Sequence, residues 1–305
     1  MIIIEWLYNI KKYIKKIYRD YFTENGTYTS LLPDRIYIER LYFKKYGEKL
    51  NIRNPHTYIE KINWLKLYDR RDKYTQMVDK YEVRDFVERM IGEDYLIPLL
   101  GCWDSVEDID FSKLPEKFVL KCNHDNGVII VKDKSNLDIT SVKNELNYRM
   151  KRDYYKKRRE WPYKNVKRKI ICEKLIETED NRVLPEYKFY CFNGEAKIFY
   201  VSSGTIDDLR FDFYDINFNH LPIVASKPNS TNTISRPQEF EKMIEIAEKL
   251  SVGIPTVRVD LYNVNGKVYF GEMTFSSGGG LRKLAPLEWE EKLGEWTVLP
   301  SRKNV

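Results

Sequence analysis

The sequence predicts an α+β protein with a helical front and a body of antiparallel hairpins. Two observations carry this. Residues 35–90 set the apolar anchors Leu41-Tyr42-Phe43, Trp64-Leu65 and Phe86-Val87 in a charged background and read as helices, with Asn54-Pro55 as a break. From Lys117 onward, paired apolar runs bracket short polar turns that contain glycine, the pattern of hairpins. No internal repeat or low-complexity stretch is visible.

The elements follow in order. Residues 1–22 place Ile3, Leu7, Ile10, Ile14, Ile17 and Tyr18 on one helical stripe, with Lys11, Lys12, Lys15, Lys16 and Arg19 around it. Such a basic amphipathic helix either docks on its own domain or a partner, or lies on an acidic membrane surface. Residues 79–87 read as a helix closing the front, and Tyr95-Leu96-Ile97-Pro98 as a short strand or loop. Runs 117–122 and 128–132 form a hairpin around Asn123-His124-Asp125-Asn126-Gly127. Residues 141–160 read as helical, and 170–177 as a strand running into a bend. Runs 185–192 and 196–202 form a hairpin on Asn193-Gly194, Arg210–Tyr214 is a further strand, and 237–251 an amphipathic helix.

A chain of 305 residues is long enough for two or three subdomains sharing a cleft. Hydrophobic content of 42% and aromatic content of 14% exclude a disordered chain. The net charge of +6 favours an anionic partner: nucleotide, acidic glycan, phospholipid headgroup or nucleic acid. Cys102, Cys122, Cys172 and Cys191 form no CxxC and read as small buried thiols in a reducing cytosol. His56, His124 and His220 are too scattered for a zinc site. No apolar run is long enough to span a bilayer, and Glu5 breaks the apolar start, so a cytoplasmic protein is expected.

The most informative stretch runs from Val257 to Gly280. Two alternating strands flank Asn265-Gly266, with Asp260 on the first and Glu272 on the second. Pairing brings the carboxylates together on one face, and Thr274 follows two residues on, on the same face. Two carboxylates and a neutral oxygen suit Mg²⁺ that also holds nucleotide phosphates. The segment Ser276-Ser277-Gly278-Gly279-Gly280 lets backbone approach an anion. The plain alternative is two solvent-facing acids on an edge hairpin. Lys121 sits inside an apolar strand and must reach an anion or a carboxylate. Residues 151–169 carry ten Lys/Arg against two acids, either a solvated helix end or a positive wall beside a substrate channel.

Four features stand in order: Lys121 before a glycine turn, a strand ending Glu173-Lys174-Leu175-Ile176, Lys188 on a strand, and Arg258-x-Asp260 with Glu272-x-Thr274. This order resembles the ATP-grasp superfamily of carboxylate–amine and carboxylate–thiol ligases. The strings Lys121-Cys122-Asn123-His124, Glu186-Tyr187-Lys188-Phe189 and Leu293-Gly294-Glu295-Trp296 resemble more closely the TupA-like ATP-grasp proteins of bacterial surface-polysaccharide gene clusters, over roughly residues 35–300.

The resemblance implies an ATP-grasp fold whose two α+β subdomains clamp a nucleotide cleft. It implies an N-terminal helix and linker over 1–34, a helical region over 35–110, a central lid subdomain over 111–178 and a catalytic subdomain over 179–305. Lys121 would meet phosphate, and His124, Asn126 and Gly127 would form the covering loop. Glu173 would lie near the adenine amino group, with backbone contacts from the hinge Lys174, Leu175 and Ile176. Glu179 or Asp180 would take the ribose. Lys188 would be a second phosphate cation and Arg258 would steady the transferring phosphate. Asp260, Glu272 and Thr274 would hold Mg²⁺, and Ser276, Ser277, Gly278, Gly279 and Gly280 the acyl substrate. Two departures stand out. Thr274 replaces the usual Asn, and the loop has one glycine, with Asp125 set to repel phosphate unless it points away or meets the metal.

The physics of phosphoryl transfer agrees, since positioning and charge neutralisation by Mg²⁺, Lys and Arg do most of the work. A water-sensitive acylphosphate needs a lid. No Ser-His-Asp triad and no GxxxxGK[ST] loop is present. The expected activity is ATP-dependent ligation of a carboxylate to an amine or sugar-linked acceptor in surface-polysaccharide synthesis. The alternatives are transfer to a hydroxyl, a glycosyltransferase of the same pathway, or a basic polyanion-binding protein in which Tyr154, Tyr155, Trp161 and Tyr163 interleave the basic run. The carboxylate pair favours the ligase, and no nucleic-acid partner is expected.

Overall fold

The computed structural model describes residues 31–177, 184–205, 208–230 and 234–301. The expected helix over 1–22, with its membrane contact, lies outside the described residues, as do Glu179 and Asp180.

The front consists of α1 (Asp34–Tyr46), α2 (Tyr58–Tyr68), α3 (Lys73–Val78) and α4 (Val83–Ile91). A capping box opens α2, with the Glu60 carboxylate accepting from the Thr57 amide at 3.1 Å. Tyr37, Ile38, Leu41, Ile52, Ile59 and Trp64 bury against one another and against Leu281 from the far end of the chain. The helix expected over 79–87 begins only at Val83. Asp79 stops it, because its Oδ1 accepts the Tyr81 amide at 2.8 Å and the Asn123 side-chain amide at 2.8 Å. Residues 79–82 are therefore a turn, and Lys80 is released from helical geometry.

A four-stranded antiparallel sheet has the order β1-β4-β2-β3, with β1 (Leu99–Trp103), β2 (Phe118–Cys122), β3 (Val128–Val131) and β4 (Ile170–Lys174). β1 comes from before residue 111, in the stretch expected to be helical front, and pairs directly with β4. Phe118, Leu120, Cys122, Ile170 and Cys172 point to one side and pack on Val142 and Leu146 of α5 (Ile139–Lys151). Alternation then sends Lys121 and Glu173 to the other side. A short helix, α6 (Tyr154–Arg158), follows.

The second sheet has six antiparallel strands in the order β10-β9-β5-β6-β7-β8. They are β5 (Glu186–Phe192), β6 (Glu195–Gly204), β7 (Leu209–Asp215), β8 (His220–Leu221), β9 (Val257–Val264) and β10 (Lys267–Thr274). Both Asn-Gly hairpins form as expected. Asn193 and Gly194 have φ of 50° and 93°, and Asn265 and Gly266 of 51° and 73°, the two consecutive left-handed residues of a type I′ turn. One face of the sheet packs Phe189, Cys191, Phe199, Val201, Val259 and Leu261 on α7 (Phe240–Ser251). The other packs Tyr190, Phe192, Tyr200 and Phe213 on Tyr58 and Ile62 of α2 and Trp289 and Leu293 of α8 (Leu287–Trp296). The closing string Leu293-Gly294-Glu295-Trp296 is thus a packing element. A Cβ on Gly294 would meet the His56 carbonyl oxygen at 2.0 Å.

Candidate active site

The first wall of the site is the outward face of the four-stranded sheet. Lys121 Nζ donates to Glu173 at 2.6 Å, and Arg84 approaches the other Glu173 oxygen at 3.4 Å. The half-buried strand lysine has its anion inside the protein. In the β2–β3 turn the Asp125 carboxylate faces inward, accepting the Gly127 amide at 2.9 Å and Arg149 at 3.1 Å. Its charge is paired there with the Arg149 guanidinium. A Cβ on Gly127 would lie 1.4 Å from an Arg149 nitrogen, so a side chain there would push the Arg149 guanidinium off Asp125. Asn126 is exposed, whereas His124 is buried, and burial lowers its pKa.

The second wall is the charged half of the six-stranded sheet. Arg258 and Asp260 sit two apart on β9, so they share a face. Arg258 grips Asp260 through two bonds of 2.7 Å. Lys188 reaches Asp260 and Glu186, each at 2.5 Å. Asp260 is completely buried, and both its oxygens are engaged. Burial opposes the charge on Lys188 and on Arg258, but the neighbouring carboxylates more than offset it and hold both pKa values above the ordinary range.

Glu272 joins this cluster through a backbone irregularity. Strand pairing counted from the Asn265-Gly266 turn would set Gly271, not Glu272, opposite Asp260. A β-bulge between Phe270 and Glu272 shifts the register by one residue and pairs Glu272 with Asp260, then Thr274 with Arg258. Thr274 Oγ1 accepts from Arg258 at 3.0 Å and donates to Glu272 at 3.2 Å. The Glu272 side chain retains 36% exposure. Burial pushes its pKa up, but Lys80, Lys188 and Arg258 outweigh this and pull it down to about 2.

Lys80 joins the two walls. Its Nζ donates to the Asp125 carbonyl at 2.6 Å and stands 4.0 Å from Glu272. Three cations, Lys80, Lys188 and Arg258, thus meet three carboxylates, Glu186, Asp260 and Glu272.

Residues 60–298 match the TupA-like ATP-grasp family, more than half of the chain. The chain belongs to the TupA-like ATP-grasp family. Solved structures similar to this ATP-grasp protein include a D-alanine–D-alanine ligase from Bacillus anthracis, at 17% identity and TM-score 0.42 over 75% of this chain and 69% of that one. An L-amino acid ligase from Bacillus licheniformis matches at 15% identity and TM-score 0.40, over 67% of this chain and 44% of that one. A D-alanine–D-alanine ligase from Helicobacter pylori matches at 14% identity and TM-score 0.38, over 73% and 61%. The chain therefore spans less than half of the amino acid ligase. No curated protein matches it.

Several residues expected to meet ligand have partners within the protein. Lys121 and Glu173, expected to meet phosphate and adenine separately, pair with each other across the sheet. Lys174 is exposed and its amide is bonded to the Pro98 carbonyl at 3.0 Å, so that amide is not offered to a ring. Leu175 and Ile176 follow it, half-buried. His124 packs inside its own subdomain. Lys188, expected as a second phosphate cation, pairs with Asp260 and Glu186. In the glycine segment the Gly279 amide closes a turn on the Ser276 carbonyl at 2.7 Å, so this amide is not offered to a substrate. Ser277 accepts from Arg258 at 3.3 Å, and Ser276 and Ser277 are both buried.

Lys80, Arg84 and Glu186 were missed. The turn forced by Asp79 carries Lys80, and only the pairing of distant strands reveals the other two. Part of the basic run is engaged within the protein. Arg159 approaches Asp34 at 3.3 Å, Arg168 donates to the Met150 carbonyl at 2.9 Å, and Lys169 pairs with Asp104 at 2.7 Å.

Among the described residues no three Asp, Glu, His or Cys side chains converge as a cation cage. The oxygens of Glu272 and Thr274 fit a hard divalent cation in chemistry and access. Asp260 fits only if it gives up a bond to Lys188 or Arg258. No described helix is long and apolar enough to cross a membrane.

Proposed function

We propose that this protein is an ATP-dependent ligase joining a carboxylate to an amine through an acylphosphate. The observation that carries this is Lys80, which touches both the β2–β3 turn and Glu272, so one cation stands between lid and catalytic sheet. In the first step a carboxylate oxygen of the acid bonds to the γ-phosphorus of ATP while the bond to the ADP oxygen breaks. In the second, the amine nitrogen bonds to the acyl carbon, phosphate leaves with the C–O electron pair, and the amine proton passes to the phosphate or solvent. Lys80 and Arg258 neutralise charge gathering on the transferred group, and behind them Lys188 and Arg258 oppose the burial that pushes the Asp260 pKa up. Glu272 and Thr274 would hold the Mg²⁺ that accompanies ATP, which when bound neutralises phosphate charge. The polar hinge side of β4 is where adenine is expected.

The acid is read as a sugar-linked carboxylate of surface-polysaccharide synthesis, handled in the cytoplasm or at the inner face of the membrane. The family and the strings that carry it support this. The test is ADP release over a panel of sugar acids and amines with Mg²⁺, followed by the product mass. An amide mass with stoichiometric ADP is expected. ADP release only with hydroxyl acceptors would replace the ligase by a phosphotransferase, and absence of an ATP-induced melting shift would remove the ATP site altogether.

A further inference from the structure

Asn123 follows β2 in the string Lys121-Cys122-Asn123-His124 and is completely buried, so no ligand in the cleft touches it. Its polar groups are nevertheless all engaged, with two distant parts of the chain. Its amide donates to the Lys169 carbonyl at 3.0 Å, and its carbonyl accepts the Lys80 amide at 3.2 Å. Its side-chain Oδ1 accepts the Lys169 amide at 2.7 Å. Its Nδ2 donates to the Lys167 carbonyl and to Asp79 Oδ1, both at 2.8 Å. An amide side chain offers an acceptor and two donors in one plane, and this site uses all of them. Aspartate there would lack both donors, and leucine every one of these groups.

The Lys169 bonds fix Asn123 to the lead-in of β4, inside the four-stranded sheet. The Asp79 bond fixes the turn that carries Lys80 to Asn123. Asp79 is buried, and its Oδ1 also accepts the Tyr81 amide at 2.8 Å and the Glu82 amide at 3.3 Å, which closes that turn. Lys80 is thus tied to the β2–β3 turn by its own amide, through Asp79, and by its Nζ, which donates to the Asp125 carbonyl at 2.6 Å. Its contact with the six-stranded sheet is of another kind, a 4.0 Å approach to Glu272, whose side chain keeps 36% exposure. In sequence Lys80 lies between α3 and α4 of the helical front, but its bonds belong to the lid.

We infer that Asn123 is a positioning residue for Lys80: it joins the Asp79 turn to the β2–β3 turn, so that the cation facing the transferred phosphate is carried by the lid and not by the helical front. This rests on the ligase reading, in which Lys80 meets that phosphate. Lid and cation then reach and leave Glu272 together, and the cation arrives already aimed. Orientation of this kind contributes to rate because a cation misplaced by an ångström neutralises the wrong place.

The experiment is a double-mutant cycle on the full chain, titrated calorimetrically with Mg²⁺ and a non-hydrolysable ATP analogue. Lys80→Met should weaken binding of the analogue about tenfold and Asn123→Ala about fivefold, and the double variant should bind no more weakly than Lys80→Met alone, because Asn123 acts through Lys80. Leu114→Ala loosens the core of the same sheet and should keep the wild-type affinity. Additive losses, unchanged affinity in Asn123→Ala, or equal weakening by Leu114→Ala overturns the assignment. Native-state hydrogen exchange on the wild type needs neither nucleotide nor variant, and it decides the matter where Asn123→Ala does not fold. The Lys80 amide should exchange together with those of Asn123 and Gly127, as one opening unit. Exchange of the Lys80 amide with those of α4, well before the lid amides, overturns the assignment too. If the wild type binds no analogue, the ATP reading fails and the exchange data alone decide the role of Asn123. If it binds and the cycle is additive, only that role falls.

Discussion

The two faces of the six-stranded sheet are made by the same strands and do opposite things. Toward α7, Phe189, Phe199, Val259 and Leu261 form an apolar layer that water does not reach. On the other face, Lys188, Arg258 and Asp260 are almost as buried, yet are held by ion pairs of 2.5–2.7 Å. The first face is stabilised by removing apolar surface from water. The second must recover the desolvation of each charge through its partners, so it tolerates loss of a partner poorly. The lesson is that burial alone does not distinguish structure from chemistry. What distinguishes the faces is whether a buried group can change partner when a ligand arrives.

Ranked by effect on stability, the first way to break the comparison is Asp260→Ala. It leaves Lys188 and Arg258 buried without their shared carboxylate and should cost about 3–5 kcal/mol. Chemical denaturation measures this, and the ATP-induced melting shift should vanish with it. Phe199→Ala on the opposite face should cost a similar ~3–5 kcal/mol through the cavity it leaves. There the residual folded protein should keep its ATP response. If both substitutions removed that response, the two faces would not be functionally separate.

Gly271→Ala sharpens the contrast. Its Cβ would sit 3.0 Å from the Asp260 carbonyl oxygen and 3.0 Å from the Tyr262 ring. A loss of about 1–3 kcal/mol is expected from overpacking. ADP formation should fall further than that of an equally destabilised core variant, because the bulge aims Glu272.

Glu272→Gln should have the smallest effect on stability near neutral pH and a large one on catalysis, about 10²-fold in the rate of ADP formation. Its pKa is depressed on folding, so the stability it contributes is present above its unfolded value of about 4.5 and is lost as pH falls toward about 2. Acid denaturation of the wild type should therefore steepen between those values, and the Gln variant should be flatter there. Identical acid profiles would mean that Glu272 is not held by Lys80, Lys188 and Arg258.

Much of the site was legible because its signals are local. The Asn265-Gly266 dipeptide fixes a hairpin, strand alternation sets Arg258 beside Asp260, and a lysine inside an apolar strand demands an anion. Partners distant in sequence were not legible. That Lys121 would meet Glu173, and Lys188 would meet both Glu186 and Asp260, depends on which strands become neighbours. The inward turn of Asp125 depends likewise on Arg149 arriving from α5.

By itself the chain determined its hairpins, its helical front and the residue types gathered on one β-ribbon, because turn chemistry and side-chain alternation act over a few residues. Tertiary structure alone decided that Glu272 faces Asp260. Simple counting from the turn gives that place to Gly271, and the bulge that overrules it keeps Phe270 and Met273 in the apolar core while turning Glu272 and Thr274 toward Arg258. A preference of that kind comes from packing the whole sheet, and no short stretch of sequence contains it.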